Sequence, residues 1–461
     1  MQDYQAFLDQ KKLIIPASGI KVKSEIINNQ LFDFQRDIVL WALQKGKAAI
    51  FAGTGLGKTL MQCEWATIIS HFTGGKIIIL APLAVSQQTV REAEKFGIKI
   101  TLCREQEDVQ PGINITNYER MDKFDMSQFD GVVLDESSIL KAQTGKIRTA
   151  IIEAFRLTPY KLACTATPAP NDHTELGNHC EFLGVMSATE MLSMFFVHDG
   201  GDTSKWRLKG HAVKDYWQWV ASWAVMLTKP SDLGYVDDKY NLPPLRIHQI
   251  TVKVESPTES LFAVEAQTLQ ERQAARRDSI DDRVKACANI VNQSDEPWLI
   301  WCNLNSESEA LKHAIIGSVD VKGSDSPEHK EKSLLGFIDG DIKKMVTKAS
   351  IAGFGLNFQI CSKMAFVGLS DSFEQYYQAV RRCWRFGQTS PVDVYVITAE
   401  TEGAVVANIE RKEREFETML SGMIAATQEI TRKNIRGTTK DTTKYNPTVE
   451  MTIPDWIRSA A

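Results

Sequence analysis

The stretch Ala52-Gly53-Thr54-Gly55-Leu56-Gly57-Lys58-Thr59 constrains this chain more than any other. It follows an apolar run, Ala48-Ala49-Ile50-Phe51, that reads as a short buried strand. It precedes a helical pattern, Leu60-Met61-Gln62-Cys63-Glu64-Trp65-Ala66. A strand, a glycine-rich turn, Lys-Thr and a helix are what a phosphate-binding loop needs. Glycines let backbone N–H groups turn inward toward a polyphosphate, and the helix N-terminus adds partial positive charge. Gly53, Thr54, Gly55, Leu56 and Gly57 would form the cradle. Lys58 would reach the β- and γ-phosphates, and Thr59 would ligate Mg²⁺. The bland alternative, a glycine turn that binds nothing, is disfavoured by the strand before it and the helix after it.

Around this loop, short apolar runs alternate with amphipathic stretches. The runs fall at 48–51, 76–81, 131–134 and 161–164. Such alternation implies an α/β fold with a parallel sheet and helices on both faces, and functional loops then gather at the carboxyl ends of the strands. Polar motifs do follow these runs directly, at 53–59, 135–138 and 165–167. A second alternating block begins near 246, with strand candidates at 298–302, 344–347, 364–369 and 392–397 and helical stretches at 306–316 and 372–384.

Between the blocks the pattern changes. Residues 173–243 carry Trp206, Trp217, Trp219 and Trp223, and 215–227 reads as an amphipathic helix with aromatics on one side. Tryptophans at that spacing read as core, with base stacking as the alternative. The run Asn241-Leu242-Pro243-Pro244 reads as a linker. The expected organisation is an N-terminal segment (1–30), a first lobe (31–172), a helical Trp-rich insertion and linker (173–243), a second lobe (244–425) and a tail (426–461). A surface helix is expected at 410–417.

Composition narrows the class. At 43% hydrophobic and 24% charged, the chain is neither disordered nor of a membrane class. No apolar stretch is long enough to span a bilayer, and the N-terminus lacks a signal-peptide core, so a cytoplasmic location is expected. None of the eight cysteines forms a CxxC pair, and buried reduced thiols are the reading. The net charge of −5 supplies no global basic excess, so a nucleic-acid partner would need a local basic cleft.

Val132-Val133-Leu134-Asp135-Glu136 is an apolar strand ending in two acids. A phosphate-loop hydrolase needs an acid there to hold Mg²⁺, and a neighbour to polarise the attacking water. Asp135 is assigned to the metal and Glu136 to the water. Taken alone, loop and acids specify only a nucleotide hydrolase.

Read in order, the motifs resemble the superfamily 2 helicases, and most closely the SNF2-like DNA translocases. Gln35, after Phe34, stands where that family reads adenine, and Ala52 opens the loop as is common in helicase-type ATPases. Leu80-Ala81-Pro82-Leu83 resembles motif Ia, and Asn117-Tyr118-Glu119 the nucleic-acid element after it. Asp135-Glu136-Ser137-Ser138 resembles the acidic box, and Thr165-Ala166-Thr167-Pro168 resembles motif III. Ala352-Gly353-Phe354-Gly355-Leu356-Asn357 resembles motif V, with Gly355 at the nucleotide. Gln378, Arg382, Arg385, Gly387 and Gln388 resemble motif VI.

The resemblance covers about residues 31–400. It implies two RecA-like parallel-sheet lobes with the helical insertion between them, ATP and Mg²⁺ as cofactors, and double-stranded DNA as partner. Any nuclease or replication activity would come from a partner protein, and no membrane is involved. The compact chain is similar to motors of bacteria and their phages.

Arginines on a second lobe can stabilise charge that develops at a phosphate bound on the first. Arg385 is assigned as the finger and Arg382 as a second phosphate or acid contact, while Arg381 is expected to face solvent. Nucleic-acid phosphates would meet Ser86, Asn117 and Ser350, whereas 271–285 reads as a solvated helix. One departure stands out: Ser137-Ser138 replaces the family's Ala-His, and serine cannot carry the histidine's charge. Three functions stay open: a translocase on duplex DNA, a strand-separating helicase on DNA or RNA, and a nucleotide-switched scaffold with weak turnover.

Overall fold

A computed structural model describes residues 17–82, 85–141, 145–169, 172–199, 202–237, 240–253, 276–352, 357–370 and 372–439. The chain folds into two parallel-sheet lobes. The first sheet uses β1 (Lys47–Ala52), β2 (Lys76–Ala81), β3 (Ile100–Leu102), β4 (Gly112–Asn117), β5 (Phe129–Asp135) and β6 (Tyr160–Thr165). A two-stranded antiparallel hairpin follows, β7 (Phe196–Asp199) with β8 (Asp202–Leu208), and then β9 (Ala224–Leu227) returns to the first sheet. The order across that seven-stranded sheet is β3-β4-β2-β5-β6-β1-β9, parallel throughout.

Strands β1, β2 and β5 are buried on both faces, which is why they read as unbroken apolar runs. Alternate residues feed two cores. Ala48, Ile50 and Ala52 enter one, while Ala49 and Phe51 enter the other. The register sets Phe51 beside Thr165 and Asp135 beside Cys164, so β1, β6 and β5 end at one edge. The glycine loop, the acids and Thr165 therefore meet there.

The second sheet holds β10 (Leu245–Val252), β11 (Trp298–Cys302), β12 (Ser318–Val321), β13 (Lys344–Lys348), β14 (Lys363–Val367) and β15 (Val392–Ala399). Its order is β10-β15-β14-β11-β13-β12, again parallel. Leu299 and Trp301 face one core and Trp298, Ile300 and Cys302 the other.

The Trp-rich segment packs onto the first lobe. Trp217, Trp219 and Trp223 are buried with Tyr216 and Phe195 in the core beneath Phe51, so they are core residues. The expected single helix over 215–227 is corrected: the helix Val213–Ala221 stops, and Ala224–Leu227 forms β9. Those four residues pair with β1 at the edge of the sheet and are all buried, an environment that favours a short apolar strand over an amphipathic helix. The charged stretch at 410–417 belongs to one 37-residue helix, Gly403–Thr439. Its first half packs Phe416 into the second lobe, and its second half packs Met423, Ile424 and Ile435 into the first. All eight cysteines are free and buried.

Candidate active site

The loop after β1 is shaped by backbone that only glycine adopts freely. Gly55 and Gly57 have φ of 91° and 77°. A side chain at Gly57 would collide with the Gln35 amide, and one at Gly55 would sit 2.7 Å from the backbone nitrogen of Phe386. The second lobe thus lies directly over the loop. Gln35 is bound into the same turn. Its Nε2 donates to the Leu56 carbonyl at 2.9 Å, and its Oε1 accepts from the Phe32 N–H at 3.0 Å. Beside it, the rings of Phe32, Phe34, Tyr240 and Phe386 pack together, with Tyr240 and Phe386 stacked at 4.6 Å. Lys58 opens the helix Lys58–Thr73, and its Nζ donates to the Ala52 carbonyl at 2.8 Å. Burial lowers its pKa, and Glu136 and Asp135 oppose that shift. The buried Thr54 hydroxyl has no hydrogen-bond partner among the described residues.

Asp135 and Glu136 close the end of β5. Burial raises the Asp135 pKa to about 7, the Glu136 charge adds to the rise, and Lys58 opposes it. Among the described residues Glu136 is the only non-glycine with positive φ, at 54°. Such a conformation costs about 1–3 kcal/mol and collects at functional sites. From Glu136 a line of hydrogen bonds leaves the first lobe. The Thr165 hydroxyl donates to Glu136 Oε2 at 3.4 Å and accepts from the Thr167 N–H at 3.1 Å. Gln378 Nε2 donates to Thr167 Oγ1 at 3.3 Å, and Arg382 Nη2 donates to Gln378 Oε1 at 2.8 Å. Sequence reasoning named the separate motifs but not this order of contact.

Arg382 is buried, and the two acids hold its charge against the cost of burial. Burial, then the neighbouring Arg382 charge, lowers the Arg385 pKa to about 10, with Glu92 and Glu136 opposing. Arg382 therefore meets the charge of both acids from the other lobe, and Arg385 meets that of Glu136. Arg381 does not face solvent freely: its guanidinium lies 4.3 Å from the Trp384 ring centroid and 5.1 Å from that of Tyr377. Gly355, with 353–356 as a whole, lies outside the described residues, as do Leu83, 271–275 and 440–461.

Two further contacts escaped sequence reasoning. The Tyr118 hydroxyl donates to the Asp135 carbonyl at 2.7 Å, and Ser137 Oγ lies 3.1 Å from His179 Nε2. Burial lowers the His179 pKa to about 4, so the ring is neutral near pH 7. The helix Leu176–Leu183 that carries it also sends Asn178 Nδ2 to the Lys141 carbonyl at 3.3 Å. Lys141 in turn pairs with Glu374 of the second lobe.

A cleft of about 370 Å³ runs between the lobes. Ser86, Asn117 and Arg120 line it from the first lobe, and Lys330, Ser350 and Ile351 from the second. The three residues expected to meet phosphates, Ser86, Asn117 and Ser350, thus share one cleft. Ser86 Oγ, Thr116 Oγ1 and Asn117 Oδ1 are buried without a hydrogen-bond partner among the described residues. Glu119, Glu328 and Glu331 line it too, so its charge is mixed.

Fold and site together define a two-lobed P-loop nucleotide-binding protein. Two family models match, "DEAD/DEAH box helicase" over residues 32–176 and "Helicase conserved C-terminal domain" over 282–387. Each lobe thus matches a helicase domain, and the ordered motifs are similar to those of SNF2-like superfamily 2 helicases. It is 20% identical to the mouse (Mus musculus) "DNA annealing helicase and endonuclease ZRANB3" over 81% of this chain and 39% of that protein. The cattle (Bos taurus) protein of the same name is 21% identical over 88% of this chain and 41% of its own length. The chain therefore spans about two fifths of these curated relatives. Among solved structures, the "Sulfolobus solfataricus SWI2/SNF2 ATPase core in complex with dsDNA" is 17% identical, with a TM-score of 0.42, covering 90% of this chain and 99% of that one. Among the described residues no helix is long and apolar enough to cross a membrane.

Proposed function

We propose that the protein is an ATP-dependent motor that moves on double-stranded DNA. The observation that carries this reading is the hydrogen-bonded line Glu136–Thr165–Thr167–Gln378–Arg382. It joins the water-polarising acid of one lobe to Arg382 of the other, which would couple hydrolysis to lobe closure. The polar cleft between the lobes lies across both partners and would shift as they move.

The residues suit ATP with Mg²⁺. The positive-φ glycines leave room for phosphates against the backbone, and the unpartnered Thr54 hydroxyl is available to them. Among the described residues no group of three or more His, Cys, Asp or Glu could hold a metal alone. Mg²⁺ commonly rests on one or two protein oxygens plus the phosphates, which Thr59 and Asp135 would supply. When bound, it neutralises phosphate charge. Lys58 would exchange the Ala52 carbonyl for phosphate oxygen, Glu136 would orient water, and Arg385 would stabilise the transferring group. Gln35 keeps one donor proton and one lone pair for adenine beyond the bonds described above.

The test is the ATPase rate without nucleic acid and with single strands, duplex DNA and RNA. Strong stimulation by duplex is expected. Equal rates in all four would sink the motor reading in favour of a nucleotide-switched scaffold, and preference for single strands or RNA would favour a strand-separating helicase. The curated relatives exceed this chain in length, and an annealing or nuclease role is not carried over from them.

A further inference from the structure

We propose that Tyr118 is the positioning residue through which nucleic acid in the interlobe cleft acts on the acidic pair. The proposal rests on the reading of that cleft as the nucleic-acid site. Tyr118 follows β4 directly, and its two neighbours, Asn117 and Glu119, both line the cleft. The Tyr118 ring instead turns inward and is only 6% exposed. Its hydroxyl passes β2 and donates to the Asp135 carbonyl at the end of β5, at 2.7 Å.

That carbonyl belongs to the peptide unit joining Asp135 to Glu136. The φ of Glu136 is the rotation between this peptide plane and the rest of the residue, and it is held at 54°. A hydrogen bond that fixes the plane therefore fixes where the Glu136 carboxylate points. On the other flank Ser137 is anchored by His179, which lies fully buried against the edge of Phe51, 5.1 Å between ring centroids. The strained turn is thus pinned from both sides, and of the two pins only Tyr118 sits between cleft-lining residues. The family's histidine is Ser138 in this chain, so its usual link from acid to cleft is missing. Tyr118 supplies one by another path: a sugar–phosphate backbone drawn against Asn117 shifts 117–119, the phenol follows, and the peptide plane before Glu136 turns with it.

Tyr118→Phe removes one oxygen and keeps the ring that packs in the core. ATPase rates of wild type and variant are measured across a titration of duplex DNA, giving the stimulation factor and the half-saturating DNA concentration. The factor is expected to fall by about fivefold or more. The half-saturating concentration stays within about twofold, because the residues that meet phosphate are intact. Full stimulation of Tyr118→Phe alongside a stimulated wild type overturns the proposal alone. So does a rate that falls equally with and without DNA, which marks a purely structural role, or a loss confined to DNA affinity. A wild type that no nucleic acid stimulates overturns both this proposal and the reading of the cleft.

Discussion

Gln378 Nε2 lies 3.3 Å from Thr167 Oγ1, while Gln378 Oε1 accepts from Arg382 Nη2 at 2.8 Å. One amide therefore both joins the lobes and orients a buried arginine. Thr167→Val deletes the interlobe acceptor and leaves the Gln378–Arg382 bond. A neutral hydrogen bond is worth about 1 kcal/mol, so the closed form should be about fivefold less populated. We expect kcat to fall by that factor, with nucleotide affinity, titrated with a fluorescent ATP analogue, little changed. An unchanged kcat would show that closure does not depend on this contact.

The two arginines should separate by the charges they meet. Arg385→Ala removes the finger, and turnover should fall by about 10³-fold or more while nucleotide binding persists. Single-turnover hydrolysis with saturating ATP checks it, and a variant that hydrolyses normally would refute the assignment. Arg382→Ala should also lower stability, by about 3 kcal/mol, because its buried charge offsets Asp135 and Glu136. Urea unfolding of the two variants reads that contrast.

The parallel lobes were legible because β1, β2, β5 and β11 are buried on both faces and must be apolar throughout. Lys58, Asp135, Arg382 and Arg385 were legible because each follows a strand or sits in an ordered motif, and the fold brings them together. What the sequence hid was contact between distant segments. Nothing local marks Tyr118 as the partner of a carbonyl two strands away, or His179 as the partner of Ser137. Residues 224–227 read as helix because periodicity cannot distinguish a short buried strand from the end of an aromatic helix. The aromatic group at Phe32, Tyr240 and Phe386 draws on three separate parts of the chain, and only folding assembles it.

Asp135 makes a testable link between pH and stability. Its folded pKa, about 7, lies above the ordinary carboxylate value because it is buried beside Glu136. Below the unfolded pKa, about 3.9, both states are protonated and burial carries no charge penalty. As pH rises from there to about 7, the unfolded state releases its proton first, so this group lowers stability, and above about 7 the loss is complete. Asp135→Asn avoids the buried charge. We expect it to be more stable than wild type at pH 8, with the gain shrinking as pH falls toward 4, while ATP hydrolysis is lost. Chemical denaturation without nucleotide at several pH values checks it, and a gain that does not vary with pH would show that the Asp135 charge is not its source.

The helix Gly403–Thr439 makes a last prediction of opposite signs. It packs Phe416 into the second lobe and Met423 and Ile424 into the first, where Arg432 also donates to the Ser231 carbonyl at 2.9 Å. Ser421 and Gly422 are exposed at the crossing, and a Cβ on Gly422 would meet nothing within 4 Å. Packing therefore gives no reason for glycine there, although glycine in a helix interior costs about 1 kcal/mol relative to alanine. Gly-Ser pairs are also where long helices bend. Gly422→Ala should raise stability by about 1 kcal/mol in denaturant unfolding. Because the helix binds both lobes, stiffening it at the crossing should resist their relative movement, and DNA-stimulated kcat should fall. A variant that gains stability and turns over as fast as wild type would show that the helix does not bend at this point during the cycle.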